Sequence, residues 1–440
     1  MKNIITIKKK INKFHKNIFI SGDKSLSIRW VLFASLANGR SRSKNLLLSE
    51  DVLAAINAIR KFGIKVKINR NLCEIIGKGV DGYEYKKNIV INSHNSGTLG
   101  RLLLGLLINT KYPVNVIGDR SLSRRDFKRV TDPLSKFGAK FKLKNNKTLP
   151  LKIYGSSNLK PIKYFEKLGS AQCKSSIILG AMRTNGVTTI KARKSRNHTE
   201  ILCKYLGLPI TIKEKKNFDE IEISKVKKIK TLNYNIPADI SSSAFFIVLT
   251  SLNEGSQLLI KNVNINPSRI GIIHILKKMG VKISLKNIKI YKGEKVADIK
   301  VKGAKSLKGI NCPKKFNSKA IDEFLVIFLV AAKAKGISFF KDLEELNQKE
   351  SPRLEWGVKI LNKMGIKTIK TKSSIKIFGN PNLVITKKIV IKNYFKDHRV
   401  FMTSVIAGLS FGGVWKIYDK DSILTSFPSF LKTIDQLKND

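Results

Sequence analysis

One pattern recurs six times along the chain and constrains the fold more than any other feature. A stretch headed by small polar residues runs into strongly apolar sequence: GDKSLSIRWVLFASLANG, NSGTLGRLLLGLL, GSAQCKSSIILGAM, DISSSAFFIVLTSL, IDEFLVIFLVAAKAKG and DHRVFMTSVIAGL. With Asp23, Asn95, Ser170, Asp239, Asp322 and Asp397 as markers, successive copies lie 69 to 83 residues apart. A second pattern falls between them: KFGIKVKI, KFGAKFKL, KYLGLPITI, KKMGVKISL and NKMGIKTIK, carrying Gly63, Gly138, Gly207, Gly280 and Gly365. Glycine there suits a left-handed helix C-cap, which a side chain would penalise. Each copy thus reads as an apolar helix, a strand, an amphipathic helix closed by Gly, and further strands. That is an α/β unit of split βαβ type, which needs neighbours to bury its faces. Six copies in 440 residues fit two domains of roughly 200 residues each.

The apolar helices, hydrophobic all round, must lie at domain centres. Their polar heads are the exception. Ser, Asp and Asn cap orphan amides, but capping does not require Lys24, Arg29, Gln172, His398 or Arg399 in the same places. If such helices run side by side, their amino ends converge into a surface suited to anions.

Several function classes are disfavoured. The longest apolar runs, such as FLVIFLVAA from Phe324, fall short of the ~18 residues of a membrane span. The basic start lacks the apolar segment of a secretory signal and reads as a strand entering the fold. Cys73, Cys173, Cys203 and Cys312 are far apart and form no C-x-x-C pair, and His15, His94, His198, His274 and His398 are scattered. A zinc site, a disulfide framework or any dedicated metal site is therefore not expected, and a reducing cytoplasm fits. The formal charge of +54 comes from lysines spread along nearly every segment, as in KVKIN and KFKLKNN, which is how solvated strand faces look. Specific nucleic-acid binding is not expected; weak, salt-sensitive attraction to polyanions is.

Ten segments, SGDKSLSIR, NSGTLGR, GDRSLSRRDFKRVTDPL, GSAQCKS, SRNHTE, PADISSSAFF, IDEFLV, LEELNQKESPRL, DHRVFM and TSFPSF, resemble the enolpyruvyl transferases, in family order and over nearly the whole chain. They are most similar to the branch whose acceptor is shikimate 3-phosphate. The resemblance implies a two-domain fold, each domain built from three βαβαββ-type repeats around buried parallel helices, an inside-out α/β barrel. It implies two crossings of the chain, near Gly22 to Asp23 and near Pro237 to Asp239. One domain is then 23–238 and the other 1–22 with 239–440, with the active site in the cleft between them. The implied reaction transfers the enolpyruvyl group of phosphoenolpyruvate to the 5-hydroxyl of shikimate 3-phosphate by addition and elimination through a tetrahedral intermediate. It releases phosphate and serves chorismate and aromatic amino acid biosynthesis in the shikimate pathway, with no cofactor. A cytoplasmic monomer with two small-molecule substrates, and neither membrane nor nucleic acid as partner, is expected.

The same resemblance assigns roles. Lys24 would touch both substrates, while Ser25, Arg29, Ser170, Ala171, Gln172, Ser195, Arg196, Asp322 and Lys349 would hold shikimate 3-phosphate. Gly97, Arg125, Arg353 and Arg399 would hold phosphoenolpyruvate, with Gln172 reaching it too. Asp322 would accept the hydroxyl proton, Glu350 would act at the methylene carbon and His398 would assist proton traffic. Asp126 follows Arg125 where the family has Arg-Pro, which leaves Arg124 as an alternative to Arg125, and Pro352 replaces an Asp. The herbicide glyphosate occupies the phosphoenolpyruvate pocket in this family, and Gly97 in place of Ala points to sensitivity. His198 reads as structural and Cys173 as a small buried hydrophobe.

Taken singly, Asp322, Glu350 and Asp397 could be helix caps; as a matched set with the arginines they read as a site. Two rivals remain: a sister enzyme with a nucleotide-sugar acceptor, and a basic RNA-binding protein or RNA-end-processing enzyme on related repeats. Dispersed charge and the lack of an evident aromatic platform speak against the second.

Overall fold

The structure is a computed structural model that describes residues 3–69 and 71–438. Two compact units divide the chain. One comprises Gly22–Ile236 with Tyr291–Glu294, the other Met1–Ser21, Pro237–Ile290 and Lys295–Asp440. Each has its own hydrophobic core.

The second repeat shows the plan. Strand Val90–Asn92, helix Gly97–Leu106, strand Val114–Ile117, helix Lys128–Ser135 and strands Lys140–Lys144 and Thr148–Tyr154 follow one another. The strands order first, second, fourth, third in one sheet. The first pair is parallel and the others are antiparallel. A parallel pair needs a long crossover, and the apolar helix supplies it. The third repeat copies this plan from Lys163–Glu166 to Phe218–Ser224.

The first repeat borrows a strand. Tyr234–Asn235 pairs in parallel with Asn38–Lys44 and takes the first-strand place. In the other unit, His15–Ile18 takes that place beside Gln257–Asn264 in the fourth repeat. Ile4–Ile7 completes the sixth by pairing antiparallel with Val414–Tyr418. The fifth has three strands, with parallel bridges at Lys308–Lys335 and Asn311–Phe339 where its first strand would lie. The six sheets have three or four strands each, and among the described residues none closes on itself.

Central helices and outer strands follow from the same apolar pattern. Every residue of helix Ile240–Leu252 is buried. In Lys140–Lys144 the lysines are exposed and the intervening Phe141 and Leu143 half-buried, so much of the +54 charge lies on solvated strand faces. The five helix-ending glycines all have φ between 68° and 116°. Gly105 serves a different need: a Cβ there would come within 2.2 Å of the Ser176 carbonyl oxygen. Its absence lets helices Gly97–Leu106 and Ala171–Ala181 touch at the backbone, and the Ser176 hydroxyl donates to the Arg101 carbonyl at 2.9 Å.

Candidate active site

Within the Gly22–Ile236 unit, three central helices bring their amino ends together. Asp23 caps helix Lys24–Leu36, accepting from the Leu26 amide at 2.9 Å. Ser96 and Ser170 cap Gly97–Leu106 and Ala171–Ala181 through their hydroxyls. Each cap satisfies one amide of the several a helix start leaves open, so the joint surface keeps donors and positive dipole ends.

Cations cluster around it. Arg29 is 3% exposed; its Nε donates to Thr199 Oγ1 at 2.8 Å and its Nη2 to Ser175 Oγ at 3.1 Å. Burial pulls this guanidinium down to about 10, opposed by Glu200, Asp23 and Glu294, while Arg196 adds to the lowering. Arg29 therefore stays charged at neutral pH, fixed by hydroxyls rather than neutralised by a direct carboxylate contact. Arg196 lies close enough to be felt, and the neighbouring Ser195 hydroxyl is buried without a hydrogen-bond partner. A buried orphan hydroxyl next in sequence to an arginine that Arg29 feels is the kind of group an anion site needs.

Lys24 Nζ lies 2.9 Å from Asp51 Oδ2. Gln172 joins the second and third helix heads, accepting from Arg101 Nη1 at 2.6 Å and donating to Thr98 Oγ1 at 3.0 Å. Arg125 donates from Nη2 to Asn95 Oδ1 at 3.1 Å. A Cβ on Gly97 would sit 3.0 Å from Arg101 Nη1 and 3.2 Å from Arg125 Nη1. The bare backbone at Gly97 therefore faces two guanidinium groups. Arg124 is exposed whereas Arg125 is half-buried.

The other unit assembles the acids. Arg353 is 2% exposed and lies among three carboxylates. Its Nε reaches Asp397 Oδ2 at 2.9 Å, its Nη1 reaches Asp322 Oδ1 at 3.4 Å, and its Nη2 contacts Glu350. Burial pulls the guanidinium down, but Asp397, Glu350 and Asp322 outweigh it and the net direction is up. Burial likewise pushes the Asp397 carboxyl up, yet Arg353 wins and holds it below its ordinary value. Asp397 also caps helix His398–Phe411 through the Arg399 amide and accepts from Ser351 at 2.8 Å.

Asp322 lies just before helix Phe324–Lys333, with Lys349 Nζ 3.3 Å from its Oδ1. Arg399 Nη1 donates to the Asp322 carbonyl at 2.8 Å. His398 Nδ1 is 3.3 Å from Thr425 Oγ1 of the TSFPSF segment. Pro352 sits immediately ahead of helix Arg353–Lys363, so the Glu350–Arg353 contact survives the proline.

Each unit thus collects its share of the residues expected from sequence. Ser25 and Ala171 stand at the same helix heads as Lys24 and Gln172. His198 is buried, with its Nδ1 2.6 Å from Glu294 Oε1. Cys173 is buried and its thiol is pushed up to about 12, chiefly by burial. Sequence reading missed Arg101, Asp51, Thr98, Thr199, Ser351 and Glu323. Arg101 carried a signal, since it lies four residues after Gly97 and hence on the same helix face; Thr98, Thr199, Ser351 and Glu323 adjoin named residues within the quoted segments, and only Asp51 lies outside them.

Solved structures show the same architecture. An EPSP synthase from Acinetobacter baumannii superposes with a TM-score of 0.87 at 33% identity, covering 98% of this chain and 97% of that one. The enolpyruvyl transferase NikO from Streptomyces tendae superposes with a TM-score of 0.77 at 13% identity, a likeness of fold alone. The chain has the fold of the enolpyruvyl transferases. By sequence it belongs to the EPSP synthase (3-phosphoshikimate 1-carboxyvinyltransferase) family, whose model matches residues 8–434. Among curated relatives, the 3-phosphoshikimate 1-carboxyvinyltransferase of Thermoanaerobacter sp. is 38% identical over 98% of this chain and all of its own length. That of Thermodesulfovibrio yellowstonii is 39% identical over 94% of this chain and 95% of its own. Among the described residues no helix is long and apolar enough to cross a membrane.

Proposed function

We infer that this chain transfers the enolpyruvyl group of phosphoenolpyruvate to the 5-hydroxyl of shikimate 3-phosphate and releases phosphate. Besides the family, one observation carries the reading: the units divide the chemistry. One gathers helix heads, arginines and hydroxyls suited to gripping anions, while the other holds carboxylates around a buried arginine, suited to moving protons.

The reaction needs both. In the addition step the hydroxyl oxygen bonds to C2 of phosphoenolpyruvate, its proton leaves, and C3 gains a proton to become a methyl group. In the elimination step the C2–O bond to phosphate breaks, the methyl group returns a proton and the double bond re-forms. We assign Asp322 as acceptor of the hydroxyl proton and Glu350 as the group at C3. Asp322 is flanked by Lys349 and Arg353 whereas Glu350 meets Arg353, and such unlike surroundings favour unlike roles. Lys24 neutralises charge on the transferred phosphate, and His398 assists proton traffic. The long Arg353–Asp322 contact of 3.4 Å is the one a substrate carboxylate would most readily replace.

Arg29, Ser25, Ser170, Ala171, Gln172, Ser195, Arg196 and Lys349 are assigned to shikimate 3-phosphate. Gly97, Arg125, Arg353 and Arg399 are assigned to phosphoenolpyruvate, with Gln172 and Lys24 serving both. The orphan Ser195 hydroxyl and the hydroxyl-held Arg29 support the first set; the two guanidinium groups facing Gly97 support the second. We place the enzyme in the cytoplasm as a monomer without nucleic-acid or membrane partners. Steady-state phosphate release with shikimate 3-phosphate or a UDP-sugar as acceptor tests the assignment. Turnover is expected with shikimate 3-phosphate, and turnover with the UDP-sugar alone would overturn it.

A further inference from the structure

We propose that Glu323 is a positioning residue for phosphoenolpyruvate recognition, holding the Arg399 guanidinium in place. The inference rests on the assignment of Arg399 to phosphoenolpyruvate.

Glu323 occupies the N-cap position of helix Phe324–Lys333, where an acid would ordinarily be explained by capping. It does not cap. The N-cap side chains of the other five central helices each accept from an amide of their own first turn, whereas Glu323 makes no such bond. Its carboxylate is directed elsewhere and is 2% exposed. Ser241 Oγ donates to Glu323 Oε1 at 2.5 Å. Arg269 Nη2 in turn donates to Ser241 Oγ at 2.8 Å and to Asp239 Oδ1 at 3.0 Å. On the other side Arg399 Nη1 lies 4.0 Å from the same Glu323 oxygen.

Buried charge is costly unless opposite charge accompanies it, and cations stand on both sides of Glu323: Arg269 through the Ser241 hydroxyl, and Arg399. Arg269 is 2% exposed and committed to Asp239 and Ser241. Arg399, at 8%, is the one assigned a substrate role. Its Nη1 edge is held by the Asp322 carbonyl at 2.8 Å and by the field of Glu323. The chain Asp239, Arg269, Ser241, Glu323, Arg399 thereby ties the heads of the fourth, fifth and sixth central helices into one scaffold. A guanidinium held this way is pre-oriented, so substrate binding need not order it.

The test is steady-state kinetics on Glu323→Gln, which keeps size and hydrogen-bonding capacity but removes charge. KM for phosphoenolpyruvate is expected to rise about tenfold while KM for shikimate 3-phosphate stays within about twofold. Ser241→Ala, which removes the donor that steers Glu323, should shift KM for phosphoenolpyruvate in the same direction by a smaller factor, and keeps the test open if Glu323→Gln does not fold. In an Arg399→Lys background, Glu323→Gln should add little, since neighbours acting through one contact are not additive. Unchanged KM for phosphoenolpyruvate in folded Glu323→Gln and Ser241→Ala, or equal rises in both KM values accompanying a lowered Tm, would overturn the proposal. If Arg399→Lys itself leaves KM for phosphoenolpyruvate unchanged, the assignment of Arg399 fails rather than the scaffold.

Discussion

Replacing Lys24 by Met separates function from stability. The lysine is 21% exposed along its side chain and pairs with Asp51, itself 9% exposed, at 2.9 Å. A partly solvated pair of this kind contributes about 0–1 kcal/mol. Losing it leaves a carboxylate in the first turn of helix Glu50–Lys61, where the helix dipole favours negative charge. The expected cost is about 1 kcal/mol, a fall in Tm of about 3 °C for a unit of this size. Turnover is different, because Lys24 is assigned to charge that develops on the transferred phosphate. Removing one such group costs about 3–4 kcal/mol, a 100- to 1,000-fold fall in kcat/KM. Circular dichroism melts and phosphate-release kinetics on the same preparation measure both. Activity within tenfold of the unsubstituted enzyme, with the melt unchanged, would refute the role; an unfolded variant would refute the small stability cost.

Gly97→Ala would place a Cβ 3.0 Å from Arg101 Nη1 and 3.2 Å from Arg125 Nη1, so both guanidinium groups must give way; KM for phosphoenolpyruvate should rise about tenfold, or about 1.4 kcal/mol, and inhibition by glyphosate should weaken, with equal inhibition of both proteins refuting this. Burial raises the Asp397 carboxyl but Arg353 outweighs it and holds it below its ordinary value. Its stabilisation is complete above the unfolded-state pKa of about 4 and is lost as pH falls through the lower folded-state value. The Tm gap between unsubstituted protein and Asp397→Asn should therefore narrow below about pH 4, and a gap constant from pH 7 to pH 3 would contradict this. The four cysteines are buried. Burial pushes Cys73 and Cys312 up to about 11 and Cys203 higher still. Thiol titration of the native protein should show slow modification and four rapid equivalents only after denaturation; fast native labelling would contradict the burial.

Much of this was legible in the sequence because it is written locally. Five of the helix heads announce themselves by Asp or Ser at N-cap positions, and the glycines at Gly63, Gly138, Gly207, Gly280 and Gly365 close helices as their φ values require. Other features could not be read that way. The borrowed strand Tyr234–Asn235 is two residues long, too short for any periodicity. Gln172 and Arg101 are 71 residues apart, and Arg353 and Asp397 are 44 apart; nothing in either segment names the other. Glu323 stands at the N-cap position of its helix without capping it, and only the direction of its carboxylate shows where it acts.

The account stands on one shared reaction for the two sets of residues. Phosphate release and product formation should be measured with phosphoenolpyruvate and shikimate 3-phosphate together and with each alone. Stoichiometric phosphate and enolpyruvyl ether with both, and no turnover with either alone, is the predicted result. Phosphate released from phosphoenolpyruvate without the acceptor, or none with both present, would contradict it.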